Sequence, residues 1–133
     1  MAPPPAPPRR PGLAKTFLWV FARFDGRIGR QVYWLSNILL VAVLALFVRP
    51  VVDPQTNQVS VELGTFGAVA LVLAIVSSLA VGAKRLHDFG ASGLFAGLLV
   101  VPLLSLIVTV VIGVVPGTPG PNRYGEAADR PPR

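Results

Sequence analysis

The sequence predicts an all-α integral membrane protein, with a short interfacial N-terminal helix followed by three transmembrane helices, the third bent at Pro102. Three observations carry this expectation. Of 133 residues, 53% are apolar and only 14% charged. An average soluble domain carries about 25% charged residues, so a chain this size lacks the polar surface of a soluble monomer. The apolar residues gather into three long uncharged runs. Finally, twelve Lys and Arg oppose six Asp and Glu, a net charge of +6, and the cations flank those runs. An ordinary soluble enzyme domain is thereby excluded. The absence of cysteine also excludes a disulfide scaffold, a cysteine-based zinc site, an iron–sulfur cluster and a cysteine nucleophile.

Taken in order, residues 1–14 hold six prolines and read as an extended, disordered tail, because proline fixes φ and supplies no backbone donor. A membrane domain follows over residues 15–126. Residues 15–30 mix Phe17, Leu18, Trp19, Val20, Phe21 and Phe24 with Lys15, Arg23, Arg27 and Arg30. That mixture suits a helix lying in the bilayer interface and is too charged to span. The spans are residues 32–48, 66–83 and 94–115, of seventeen, eighteen and twenty-two residues. At about 1.5 Å per residue they reach about 25, 27 and 33 Å, against a hydrocarbon core of about 30 Å. Tyr33, Trp34 and Arg49 extend the first by sitting at the interfaces. Residues 127–133 read as a frayed end. The first span is a retained anchor: a basic, aromatic leader precedes it and no small-residue cleavage site follows it.

Cations beside the spans set the orientation. Arg9, Arg10, Lys15, Arg23, Arg27, Arg30, Lys84 and Arg85 make eight on the N-terminal face, against Arg49, Arg123, Arg130 and Arg133 on the other. The expected protein is multi-pass with a cytoplasmic N-terminus. Three spans put the C-terminal tail outside, whereas a re-entrant third segment bent at Pro102 returns it to the cytoplasm.

Two clusters fall at this cytoplasmic surface. In the first, Phe24-Asp25-Gly26-Arg27-Ile28-Gly29-Arg30, the arginines lie three apart and their planar guanidinium groups suit phosphate oxygens. Tyr33 and Trp34 follow at headgroup depth. A plain positive-inside anchor with an aromatic belt is the simpler account of the same residues. The second cluster, Lys84 to Gly93, holds His87, the chain's sole histidine, beside Asp88. A His–Asp pair with Ser92 raises general-base chemistry, but neighbours in sequence point apart and no oxyanion-hole signal accompanies them. A structural turn is the better reading: Asp88 pairs with Arg85 or with an arginine of the first cluster, and His87 bonds backbone. Gly90 then caps one helix and Ser92 the next. One histidine and few acids do not fill a metal shell.

The spans carry no Asp, Glu, Lys, Arg or His, which argues against a proton- or ion-coupled pump. Ala70, Ala74, Ser78 and Gly82 form a strip of small residues suited to close helix packing, within the chain or between copies, and Gly93 and Gly97 repeat the spacing.

Three segments in order resemble the domain of unknown function 805 family, small bacterial inner-membrane proteins of the YhaH and YhaI type. The family's F-x-G-R-x-x-R-x-x-Y-W box is matched by Phe24, Gly26, Arg27, Arg30, Tyr33 and Trp34. Its R-R-L-H-D turn followed by S-G-W is matched by Arg85, Leu86, His87, Asp88, Ser92 and Gly93. Its G-x-N-x-Y-G tail is matched by Gly120, Asn122, Tyr124 and Gly125. Lys84 replaces a family arginine, and Leu94-Phe95 stand at the family tryptophan. The resemblance implies an inner (plasma) membrane protein with no assigned activity.

The expected function is therefore non-enzymatic, with no cofactor, metal or catalytic residue. A basic juxtamembrane surface built on Arg27, Arg30, Arg85, His87 and Asp88 meets anionic lipid or a protein partner. The alternative is a small oligomeric channel or transporter subunit. Membrane lipids are the expected partners, with a second copy or another membrane protein beside them. Nucleic acid is not, because the cations flank spans.

Overall fold

The computed structural model describes residues 11–131. Most of the expected proline-rich tail, and residues 132–133, lie outside them. Helix α1 (Leu13–Ala22) precedes α2 (Arg30–Ala45), a hairpin of β1 (Val48–Val52) and β2 (Val59–Leu63), and the long α3 (Thr65–Asp88). A 3-10 helix (Gly93–Val100) and α4 (Leu104–Val114) complete the order.

Helix α1, expected over residues 15–30 as an interfacial helix, stops at Ala22. Arg23 is extended (φ −107°, ψ 150°), and Gly26 turns the chain at φ 88°, a conformation that favours glycine. A two-stranded sheet corrects the all-α expectation. Its strands pair antiparallel from Val48↔Leu63 to Val52↔Val59. Asp53 ties the connecting loop, accepting from the Gln55 N–H at 2.9 Å and the Thr56 hydroxyl at 2.7 Å. The valines supply β-branched side chains, and Pro50 is tolerated because a two-stranded ribbon has only edges.

Helix α3 runs 24 residues at a mean hydropathy of 2.3, long and apolar enough to cross a membrane. It ends in a glycine cap: Gly90, at φ 82°, donates to His87 O at 3.1 Å and Ala91 to Leu86 O at 2.9 Å. This pair of bonds satisfies the terminal carbonyls. Ser92 caps the next element, its hydroxyl accepting from the Leu94 N–H at 3.4 Å.

The third apolar segment is not one helix. Leu103 takes φ 65° and ψ −47°, and Leu104 N–H donates to Pro102 O at 2.8 Å. This is the strained, positive-φ γ-turn, which reverses the chain. Both ends of the segment consequently meet the same end of α3. Gly93 packs on Ala83 and His87, while Ile112 and Val115 carbonyls accept from Arg85. Helix α4 is 11 residues long, about 17 Å at 1.5 Å per residue, roughly half a hydrocarbon core. The expected third span over 94–115, bent at Pro102, thus takes the form of a 3-10 helix and a short α-helix joined by a reversal at Leu103. The tail is not frayed from residue 127 either: Asp129 N–H donates to Arg27 O, and the Asp129 carboxylate accepts from Gly29 N–H at 2.7 Å.

Packing is concentrated at one end. Apart from Gly67, every buried residue of α3 lies at or beyond Ala80, joined by Trp19, Val20, Ile28, Tyr33, Ala96 and Ile112. The rest of the bundle exposes large apolar side chains, among them Leu35, Ile38, Val41, Val69, Val72, Leu106 and Val110. Water does not tolerate such a continuous apolar surface, whereas lipid does. Within the small-residue strip, Gly82 packs inside the chain, where a Cβ would collide with Leu99. Gly97 faces open space.

Candidate functional site

The well-packed end is built around Arg27, which the turn at Gly26 delivers between α3 and the tail. Its guanidinium donates to Asp88 Oδ1 from Nε at 3.2 Å and from Nη2 at 3.0 Å. Nη1 donates to Gly120 O at 2.7 Å and Gly125 O at 3.2 Å, and Nη2 to Thr118 O at 2.8 Å. Arg85, one helical turn before Asp88, donates from Nη1 to Asp88 Oδ2 at 2.5 Å. It also donates to Ile112 O and Val115 O. One carboxylate thus joins two arginines, and those arginines hold the carbonyls of α4 and the tail. Arg27, Arg85 and Asp88 are 2%, 0% and 3% exposed, so these are desolvated, charge-assisted bonds.

Close approach demands a glycine beside this latch. Asp88 O accepts from Thr118 N–H at 2.8 Å, and a Cβ on Gly117 would collide with the Asp88 carboxylate. His87 leaves the helix on another side. Its Nδ1 meets Gly26 O at 3.1 Å, and its ring stacks on Tyr124 with centroids 3.8 Å apart and planes 8° from parallel. Asn122 Nδ2 donates to His87 O at 2.8 Å, and its Oδ1 accepts from Tyr124 N–H. His87 and Asp88 do not form a pair, because both Asp88 oxygens are taken by arginine.

Lys84, also buried, donates to Arg23 O and lies 5.7 Å from the Trp19 ring centre; the Trp19 indole donates to Asp25 O at 2.9 Å. Partial burial pushes the Asp25 carboxyl up, but the hydrogen bond and charge of Arg23 outweigh it and hold the group below its ordinary value. Tyr33 is buried, its hydroxyl donating to Thr109 O, while the Trp34 indole donates to Gly113 O. Both aromatics therefore fasten α4, where the sequence placed them at the headgroups.

The structure brings together Arg27, Arg85, His87 and Asp88 of the expected site, with Gly26, Gly120, Asn122, Tyr124 and Gly125 of the motifs. Arg30 stands apart and exposed. Phe24, Ser92 and Gly93 line a separate shallow groove with His87 and Tyr124. Burial changes what the cluster offers: the guanidinium groups of Arg27 and Arg85 are occupied by protein carbonyls, so neither faces a headgroup. Gly117, Thr118 and Asp129 were missed, and Lys84 was read only as a surface cation of the second cluster. Their roles depend on contacts across the chain, and no local pattern marks them.

The matching relatives join these motifs to membrane proteins. Inner membrane protein YhaI of Escherichia coli K12 is 30% identical over 105 residues, covering 79% of this chain and 85% of the relative. Inner membrane protein YhaH of the same organism is 30% identical over 106 residues, covering 79% and 86%. The uncharacterized protein YiiR, also from that organism, is 30% identical over 137 residues, covering 81% and 86%. No solved structure matches. The model of the family described as a protein of unknown function, DUF805, matches residues 21–126, a stretch that contains all three motifs and the latch they form, and the chain belongs to that family.

Proposed function

We propose that this chain is a non-catalytic integral protein of the bacterial inner membrane that sets a cationic face against anionic lipid. In this reading α2 and α3 cross the bilayer, residues 93–115 re-enter it, and both termini lie in the cytoplasm with the latch. The observation that carries the reading is Arg27, which holds the turn after α1, the end of α3 and the tail at one place. A tail tied there belongs on the same membrane face as the first two motifs.

Charge supports this arrangement. With the tail returned, Lys15, Arg23, Arg27, Arg30, Lys84, Arg85, Arg123 and Arg130 share one face, and among the described residues only Arg49 remains at the hairpin. That distribution follows the positive-inside bias more closely than three spans do. Helix α2, 16 residues long, gives about 24 Å, a mismatch that local thinning of the bilayer accommodates. Of the face's cations, Lys15, Arg23, Arg30, Arg123 and Arg130 are exposed. Each such cation contributes about 1 kcal/mol near an anionic leaflet.

The chain has no native cysteine, so single thiols report their side of the membrane. A membrane-impermeant maleimide should label Gln55→Cys in intact cells and leave Glu126→Cys unlabelled until lysis. Labelling of Glu126→Cys in intact cells restores three spans and rejects the shared cytoplasmic face.

A further inference from the structure

Of the arginines in the two sequence clusters, Arg30 is the one the latch does not use. It is exposed and takes part in no ion pair among the described residues. It stands at the rim of a groove of about 610 Å³ between the start of α2 and the end of α4, lined by Arg30, Gln31, Trp34, Leu35, Gly113 and Val114. At its floor Gly113 lets the Trp34 ring pack directly on α4. A Cβ there would collide with the Trp34 ring, which is itself fixed by donation to Gly113 O at 3.3 Å.

The lining is polar at one end and apolar along the rest. Arg30 and Gln31 offer a guanidinium and an amide; Trp34, Leu35 and Val114 offer apolar surface. Beneath this end the protein buries Arg27 and Arg85 on Asp88, the one buried acid among the described residues. The interior therefore carries an excess of positive charge that Arg30 extends to the surface. The complementary ligand has a negative head and an apolar body. The geometry points to one anionic phospholipid seated here, its phosphate on Arg30 and an acyl chain along Trp34, Leu35 and Val114. Guanidinium–phosphate contacts are bidentate and directional, which distinguishes a seat from diffuse attraction. The inference rests on the reading that this end of the bundle faces the headgroups.

The test uses the full chain in phosphatidylcholine nanodiscs containing a minor fraction of phosphatidylglycerol, with retained lipid counted by native mass spectrometry. The wild type should keep one phosphatidylglycerol in preference to phosphatidylcholine. Losing the charge-assisted contact in Arg30→Gln should weaken retention roughly tenfold, and Arg30→Lys should restore part of it. Val114→Trp, which fills the groove and leaves the charge, should also lose the lipid. Lys15→Gln, an exposed cation elsewhere on the face, should not. Equal losses in Lys15→Gln and Arg30→Gln would overturn the seat and leave the charged-face reading standing. A wild type without preference for phosphatidylglycerol would overturn both. Displacement of the lipid by inorganic phosphate would reduce the site to a headgroup contact and overturn the acyl seat.

Discussion

The two ends of this molecule are held by different means. At the latch end, Arg27, Arg85 and Asp88 lie buried among carbonyls drawn from α4 and the tail, and most of the buried apolar residues collect around them. At the other end a hairpin that is exposed along nearly its whole length joins two helices whose apolar side chains face outward. Lipid is as apolar as leucine, so such side chains gain little by meeting one another inside a bilayer. Specific tertiary structure is therefore concentrated where polar groups must find partners. The motif residues at the latch thus fasten the fold, and Arg30 is the motif arginine that stays exposed.

Removing the shared carboxylate should give the largest effect. Asp88→Asn keeps the shape but leaves two buried guanidinium groups with one neutral partner, whose amide N–H₂ points at one of them. Breaking a buried ion pair from one side costs about 3–5 kcal/mol. Thermal unfolding in detergent should show that loss, and trypsin should cut at Arg123 faster as the tail detaches. A variant that melts like the wild type with a protected tail would mean that the carbonyl contacts suffice without the ion pairs.

A smaller and more local disturbance tests whether close approach matters as much as charge. Gly117→Ala keeps every charged group yet sets a methyl against the Asp88 carboxylate, forcing the tail outward. Overpacking of this kind costs about 1–3 kcal/mol. Tail cleavage should accelerate while the helical signal of α2 and α3 stays unchanged. The same methyl at Gly97, which faces open space, should change neither measurement.

Much of this was legible in the chain. The apolar run and Gly90 mark α3 and its end, and Asp88 pairing with Arg85 follows from their spacing of three on a helix. The hairpin was not legible, because Pro50 interrupts a valine-rich run wedged between two longer apolar segments. Arginine beside a membrane span has the same sequence appearance whether it faces phosphate or protein carbonyls, so the burial of Arg27 and Arg85 could not be read locally. The docking of the tail on Arg27 had no local signal either, since Arg27 reaches Gly120 and Gly125 across more than ninety residues. Pro102 marked the bend in the third segment, but the reversal belongs to Leu103, an ordinary residue held in an uncommon conformation.

That conformation links the two ends and gives the smallest predicted effect. The latch fixes both ends of residues 93–115 near the last turns of α3, so the chain between them must reverse, and the strain falls at Leu103 (φ 65°). The side chain there is 83% exposed, so removing it sacrifices little packing. Leu103→Gly should accordingly raise stability by about 1 kcal/mol, the cost of holding a branched residue at positive φ. The gain should depend on the latch. In an Asp88→Asn background the segment is free to relax, and the same substitution should add nothing, a coupling that a double-mutant cycle of melting experiments reads directly. An equal gain in both backgrounds would place the cause of the reversal in Pro102 and its neighbours, independent of the charged end.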